Sequence, residues 1–299
     1  MSNIYWPVYK NLERGVLDLS YSIHIDDTQL SVYSSQISDL ILRASAEIES
    51  ISKELYKQNG GVKTERIKYD TDALVHLNNL WKLESKVVLI SSANCFQTNK
   101  ELKPFIQAET STIHGRLTYS WNNSYQNLKH DRANSLNFGS VKYLFDIMSA
   151  LFILNLYYKS EIILLYDDTN GLNFPINLGS DLFSIKLHKW VGHDETLNFK
   201  KSDDFDECLY YVHYTESTFE EVKAESEKIN EKARKLLEEH PKYIEYIATN
   251  DPAEYQGNNF IYDILGADEH IKLVIEANRK YTEIFRKANY EAVINKQDL

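Results

Sequence analysis

The residues of this sequence best suited to chemistry fall in one run, WNNSYQNLKHDRAN, spanning 121–134. Lys129, His130 and Arg132 put an ammonium, an imidazole and a guanidinium within four residues at the end of an expected helix. Histidine exchanges a proton near neutrality, so it can take one from a ribose 2′-hydroxyl or give one to a leaving oxygen. Fixed cations offset the negative charge that grows on a phosphate in the transition state. Together they are a minimal set for metal-free RNA cleavage that leaves a 2′,3′-cyclic phosphate. About the helix axis His130 lies about 180° from Trp121, so it need not belong to the core face formed by Trp121, Tyr125 and Leu128. A bland alternative stands beside this one. Cations in a last helical turn meet the negative end of the helix dipole, and Asp131 can pair with one of them.

Other signatures of catalysis or metal binding are absent. There is no HExxH, CxxC or GxSxG. Gly60-Gly61-Val62-Lys63-Thr64 follows a helix and not a strand, so it reads as a helix terminator and not a phosphate loop. The segment 203–207, with Asp203, Asp204, Asp206 and Glu207, lacks the alternating ligands and the glycine of a calcium loop and reads as a solvated acidic turn. Asp167-Asp168-Thr169-Asn170-Gly171 is likewise a turn. Two cysteines, Cys95 and Cys208, supply neither a disulfide framework nor a four-thiolate zinc site. No metal and no cofactor are therefore expected, and a reducing cytoplasm is the expected compartment.

These side chains need elements to hold them. Residues 16–25 alternate apolar and polar, which predicts a half-buried strand. A long helix is expected from Asp27 or Thr28 to Gln58, with Ile37, Ile41, Ala44, Ile48, Ile51 and Leu55 as one apolar stripe. Further helices are expected over 71–83, 120–132 and 140–158, the last apolar nearly all round. Its most apolar stretch, 147–158, is too short to span a bilayer and reads as a buried core helix, so no membrane partner is expected. Segment 86–91 is a short apolar run that fits helix or strand, and 92–119 are expected to be irregular. Strands follow at 162–166, 182–189 and 208–214, then a helix opened by a Thr218–Glu221 capping box, and a final helix over 268–294. The two late helices are expected to pack antiparallel.

The whole chain, 299 residues, carries 33 basic and 44 acidic side chains, a net charge of −11, which excludes coating of nucleic acid through bulk charge. Residues 194–254 hold 17 acidic and 8 basic side chains, whereas 1–165 are balanced, so a small local RNA site stays compatible with the overall sign. Ten glycines and five prolines argue against a turn-rich sandwich or barrel and for long helices.

The run at 121–134, followed by SALFILNLYY at 149–158, resembles bacterial HEPN-like proteins, in which a W..YN..KHDR segment precedes an apolar helix. The long helix around Ile41-Leu42-Arg43 and Ala46-Glu47-Ile48-Glu49 is similar to their first helix, and the resemblance spans about residues 15–165. It implies a bundle of four or five helices, usually dimeric, often in toxin–antitoxin, phage-defence or CRISPR-associated systems. Many members are metal-independent RNases with an arginine four to six residues ahead of a histidine. His130 matches that histidine, whereas Tyr125 occupies the arginine position, and Lys129 or Arg132 would have to supply the missing cation.

The chain is thus expected to be mainly α, with a HEPN-like helical domain over 1–165 and an acidic α+β appendage over 166–299. Its expected function is RNA targeting as a homodimer, with His130, Lys129 and Arg132 catalytic and Arg43, Glu47, Tyr125 and Asn127 facing the substrate. The alternative is a non-catalytic HEPN-like scaffold whose acidic C-terminal region docks a protein partner. A third, minor reading has that acidic region mimic nucleic acid and inhibit a basic partner.

Overall fold

The computed structural model describes residues 3–92, 96–98, 100–189, 204–278 and 286–297. About 51% of the described residues are helical, with a few short strands. It divides into two units. The first holds residues 1–163, 170–212 and 292–299; the second holds 164–169 and 213–291. The first crossing falls beside the expected boundary at 165, but 170–212 and the last residues group with the N-terminal helices.

The first unit opens with α1 (Tyr5–Leu19) and α2 (Ser35–Gln58), followed by a π-turn at Tyr69–Ala73 and α3 (Leu74–Trp81). Short strands β1 (Val88–Ile90), β2 (Glu101–Leu102), β3 (Glu109–Thr110) and β4 (Leu117–Thr118) lead to α4 (Ser120–His130) and α5 (Val141–Lys159). Strands β5 (Ile163–Tyr166), β6 (Phe183–Ile185), β7 (Leu187–His188) and β8 (Tyr210–Tyr214) come next. The remaining elements are α6 (Glu216–Glu238), α7 (Pro241–Ile247), α8 (Phe260–Leu265), α9 (Ala267–Ala277) and β9 (Tyr290–Ile294). The sheets run β2-β1-β6, β3-β4 and β5-β9-β8-β7, and β7 pairs with β8 in parallel.

No strand forms at 16–25: residues 16–19 are the end of α1, and 20–25 follow it as a turn and irregular chain. Buried Tyr5, Tyr9, Leu12, Val16 and Leu19 recur at steps of four and three, the helical period. Tyr21, which the alternation placed inward, is 92% exposed. Gly15 lets α1 approach α2 closely, because a Cβ there would stand 2.9 Å from Leu40 Cδ2. The long helix starts at Ser35, later than expected, because Ser34 caps it: its Oγ accepts from Ile37 N at 3.1 Å. The whole expected stripe of α2 is buried, and α5 packs along it.

α5 is buried on nearly every side. Among the described residues it is the one helix long and apolar enough to cross a membrane, and 78% of its apolar window is buried inside the protein. Its aromatic rings lock to their neighbours. Tyr157 stacks on Trp81 at 4.2 Å, and Phe152 stacks on Tyr9 at 5.6 Å.

In the second unit α6 begins one turn before the expected capping box. Thr215 is the N-cap and accepts from Thr218 N, so Thr218 lies inside the helix. The expected helix over 268–294 is also corrected. Helix α9 ends at Ala277, and residues 290–294 form β9, whose Tyr-Glu-Ala-Val-Ile alternates buried and half-buried side chains. Residues 279–285 of that expectation lie outside the described residues. The α6–α9 packing is antiparallel: Lys232 reaches the Glu276 carbonyl, while His240, just past the end of α6, approaches Glu269, nearer the start of α9. Leu237, Leu265 and Leu273 form the small core of this unit, whereas Ile271 and Val274 of α9 face outward.

Candidate functional site

Helix α4 is held by polar bonds along almost its whole length. Trp121 Nε1 donates to the Pro104 carbonyl at 2.9 Å, and its ring stacks on Tyr119. The Tyr69 hydroxyl donates to Asn122 Oδ1 at 2.5 Å, and Asn122 Nδ2 donates to Thr118 Oγ1 at 2.9 Å. Ser124 Oγ donates to the Phe138 carbonyl at 2.7 Å. Burial raises the Tyr69 phenol far above its ordinary range, with the Asp70 charge adding to the shift. Only the last turn of α4 is open, where Lys129 and His130 are exposed at the negative end of the helix dipole.

The expected site residues are distributed as follows. His130 makes no hydrogen bond or ion pair among the described residues. Lys129 Nζ lies 5.2 Å from the centre of the Tyr125 ring, within cation–π range. Arg132, just past the helix, pairs with Asp39 Oδ1 at 2.9 Å. Asp131 takes neither cation of the run; it accepts from Asn134 Nδ2 at 2.9 Å. Asp39 lies near the start of α2, and Arg43 and Glu47 follow at one-turn intervals on the same face. Arg132 therefore brings the end of the α4 segment to the face that carries Arg43 and Glu47.

Arg43 is turned toward α1, donating to Asn11 Oδ1 at 3.0 Å, and does not pair with Glu47. Tyr125 is buried, with its ring edge-on to Tyr69. The Asn127 amide is buried and spent on Thr112 Oγ1 at 2.6 Å and the Asn123 carbonyl at 2.8 Å. The open groups are thus Lys129, His130, Arg132 and Arg43, with Glu47 half-buried; Tyr125 and Asn127 brace the helix beneath them.

Two arrangements in the first unit had no local signal in the sequence. A groove of about 860 Å³ is lined by Glu84, Lys103, Phe105, Tyr119, Asp206 and Glu207, among others. Lys103 pairs with Glu207 at 2.8 Å and Lys82 with Asp206 at 2.6 Å, so its charged rim is largely self-neutralised. The second arrangement is His188, Asp204 and Cys208, whose donor atoms lie within 4.8 Å of one another, the set among the described residues that can hold a metal ion. The Cys208 thiol is pushed up to about 12 by burial and by the Asp204 charge, against the pull of Lys86 and Lys186, so it is no ready nucleophile. The expected acidic turn coincides with part of this cluster, but Asp203 lies outside the described residues.

Comparison of the chain with protein-family models, with curated proteins and with solved structures gives no match.

Proposed function

We propose that the chain is an RNA-targeting, HEPN-like protein, acting as a homodimer in the cytoplasm in phage defence or stress response, and that the open end of α4 is its RNA-cleaving site. The observation that carries this reading is the setting of His130. Its imidazole is exposed and unbonded, fixed on a braced helix between the ammonium of Lys129 and the guanidinium of Arg132. In the reaction His130 moves a proton between the 2′-hydroxyl, the leaving oxygen and water, while Lys129 and Arg132 offset charge on the phosphate. An exposed ion pair such as Arg132–Asp39 is worth about 0–1 kcal/mol, so an incoming phosphate can displace Asp39 at little cost. The helical assembly of α1, α2, α4 and α5 supports the HEPN-like part of the proposal at the level of fold class.

A second reading, a non-catalytic scaffold, is favoured by one specific observation. Tyr125, at the position where the resemblance puts an arginine, is buried and offers no cation. The exposed, acid-rich α6 would then be the docking surface for a partner. The two readings separate on purified protein incubated with tRNA or mRNA in EDTA. Cleavage that leaves cyclic phosphate ends and is lost in His130→Ala supports the first. An inert protein that co-purifies with a partner and tolerates His130→Ala supports the second.

A further inference from the structure

The turn 204–208, which enters β8, is held from every side. The Asp204 carbonyl accepts from Glu207 N and Cys208 N, both at 3.1 Å, so the side chains of Asp204 and Cys208, four residues apart, project together. Asn295 Nδ2 donates to the Phe205 carbonyl at 2.7 Å and the Cys208 carbonyl at 3.1 Å. Lys86 Nζ donates to the Asp206 carbonyl at 2.9 Å and the Cys208 carbonyl at 3.1 Å. Val87 N donates to the Glu207 carbonyl at 3.0 Å. Lys86 and Asn295 are both fully buried. Two buried polar side chains committed to the carbonyls of Phe205, Asp206 and Cys208 are a supporting shell of the kind that orients ligands around a metal.

The third member comes from the neighbouring strand. β7 pairs with β8 in parallel, His188 opposite Tyr211, which puts the imidazole beside the turn. His188 is 8% exposed and lies edge-on to Phe205. Its Nδ1 stands 3.3 Å from Asp204 Oδ1, yet that buried nitrogen has no hydrogen bond. Two potential ligand atoms side by side without a shared hydrogen is the arrangement expected when both are to face a cation.

We infer that His188, Asp204 and Cys208 form a binding site for a borderline divalent metal ion of the zinc class. The donor set, one imidazole nitrogen, one thiolate and one carboxylate oxygen, suits zinc, whereas calcium and magnesium take oxygen ligands. A tetrahedral zinc holding nitrogen and oxygen at about 2.0–2.1 Å keeps them about 3.3 Å apart, which matches the observed 3.3 Å. The sulfur, with a zinc bond of about 2.3 Å, would stand about 3.6 Å from each, so it closes in by at most about 1.2 Å from the present 4.8 Å limit. On binding, the thiol proton leaves to solvent, and one thiolate and one carboxylate balance the dication. The nearby ammonium groups do not occupy the site: Lys86 is committed to the turn's carbonyls, and Lys186 to Glu207 at 3.0 Å and Glu101 at 3.3 Å. The fourth position is left for water or an exchangeable ligand. Because Lys86 and Asn295 already hold the turn, the ion fastens β7 to it without being needed for folding.

The test is a titration of the metal-free full chain with Co(II) and then Zn(II). One equivalent of Co(II) should give a thiolate-to-metal charge-transfer band with intense tetrahedral d–d bands, and Zn(II) should displace it and raise Tm. The spectrum should survive Cys95→Ser and vanish in Cys208→Ser. Asp204→Asn changes a half-exposed side chain and leaves the core intact, and it should weaken binding at least tenfold. No charge-transfer band in the wild type, a band that persists in Cys208→Ser, or unchanged affinity in Asp204→Asn would each overturn the site.

Discussion

Replacing Glu13 by alanine is the sharpest test of how the first unit is held together. Glu13 is fully buried on α1, and one carboxylate oxygen gathers donors from its own helix and from the distant segment 180–182. Its Oε1 accepts from the Tyr9 hydroxyl and from Asp181 N, both at 2.9 Å, from Leu182 N at 3.2 Å and from the Ser180 hydroxyl. Its Oε2 pairs with Lys10. Burial and the Glu13 charge together push the Tyr9 phenol well above its ordinary value, so it stays a donor. In Glu13→Ala, Tyr9 and Ser180 can still bond each other and Leu182 N keeps Ser180 Oγ, but Asp181 N–H loses its acceptor. Hydrogen bonds to a charged acceptor are worth about 1.5–3 kcal/mol each, so losing those from Asp181 N and the Tyr9 hydroxyl costs about 3–5 kcal/mol in all. Glu13→Gln keeps a carbonyl oxygen for the same four donors and loses chiefly the partly exposed Lys10 pair, so its cost should be about 1–2 kcal/mol. For a unit of this size those values correspond to Tm drops of roughly 6–20 °C and 2–8 °C. Urea unfolding followed by tryptophan fluorescence reads both, with the slope against denaturant unchanged. An alanine variant within 1 kcal/mol of wild type, or glutamine as costly as alanine, would refute this reasoning.

Trp81→Ala removes the face that Tyr157 stacks on and should destabilise the first unit by about 3–5 kcal/mol, measured by the same unfolding assay. Asp146 is raised above its ordinary 3.8, chiefly by burial, with partial relief from the Ser120 hydroxyl and Lys142. Its folded form therefore holds the proton more tightly than the unfolded chain does, and its contribution, full below pH 3.8, is lost as pH rises through the raised value. Asp146→Asn should match wild type at low pH and become the more stable of the two as pH rises, so a stability gap that narrows with pH would be contrary evidence. Asp39→Ala should change stability by less than about 1 kcal/mol, because the pair it breaks is exposed, yet tighten RNA binding by freeing Arg132. A salt-dependent gel-shift titration checks it, and weaker binding would count against a role for Arg132.

Helices with one wide apolar face were legible in the sequence. The α2 stripe from Ile37 to Leu55 and the all-round apolar α5 are buried as their periods require. Short segments were not, because a few apolar residues fit two periods at once. Leu19 satisfies both the alternation of a strand and the three- and four-residue steps of a helix, and the earlier members Tyr5, Tyr9, Leu12 and Val16 decide for the helix. In the opposite direction, the last residues of the helix expected over 268–294 are taken over by the strand pairing of β9. At the candidate site, the sequence placed His130 correctly on an end of α4 but could not tell which neighbours were spoken for. Asn127 is used up by Thr112, and Arg132 by Asp39, a residue 93 positions away. Glu13 and the His188–Asp204–Cys208 set escaped notice for the same reason. Their partners meet only through tertiary folding, so no local spacing announces them.

The most direct measurement is the rate of RNA cleavage by purified wild-type protein and by His130→Ala, each with and without EDTA, with the new ends identified chemically. A general acid–base residue contributes about 10²–10⁴-fold. The expected result is metal-independent cleavage that leaves 2′,3′-cyclic phosphate and falls by that factor in the variant. Wild-type protein that leaves RNA intact, or a variant that cleaves as fast as wild type, would contradict it.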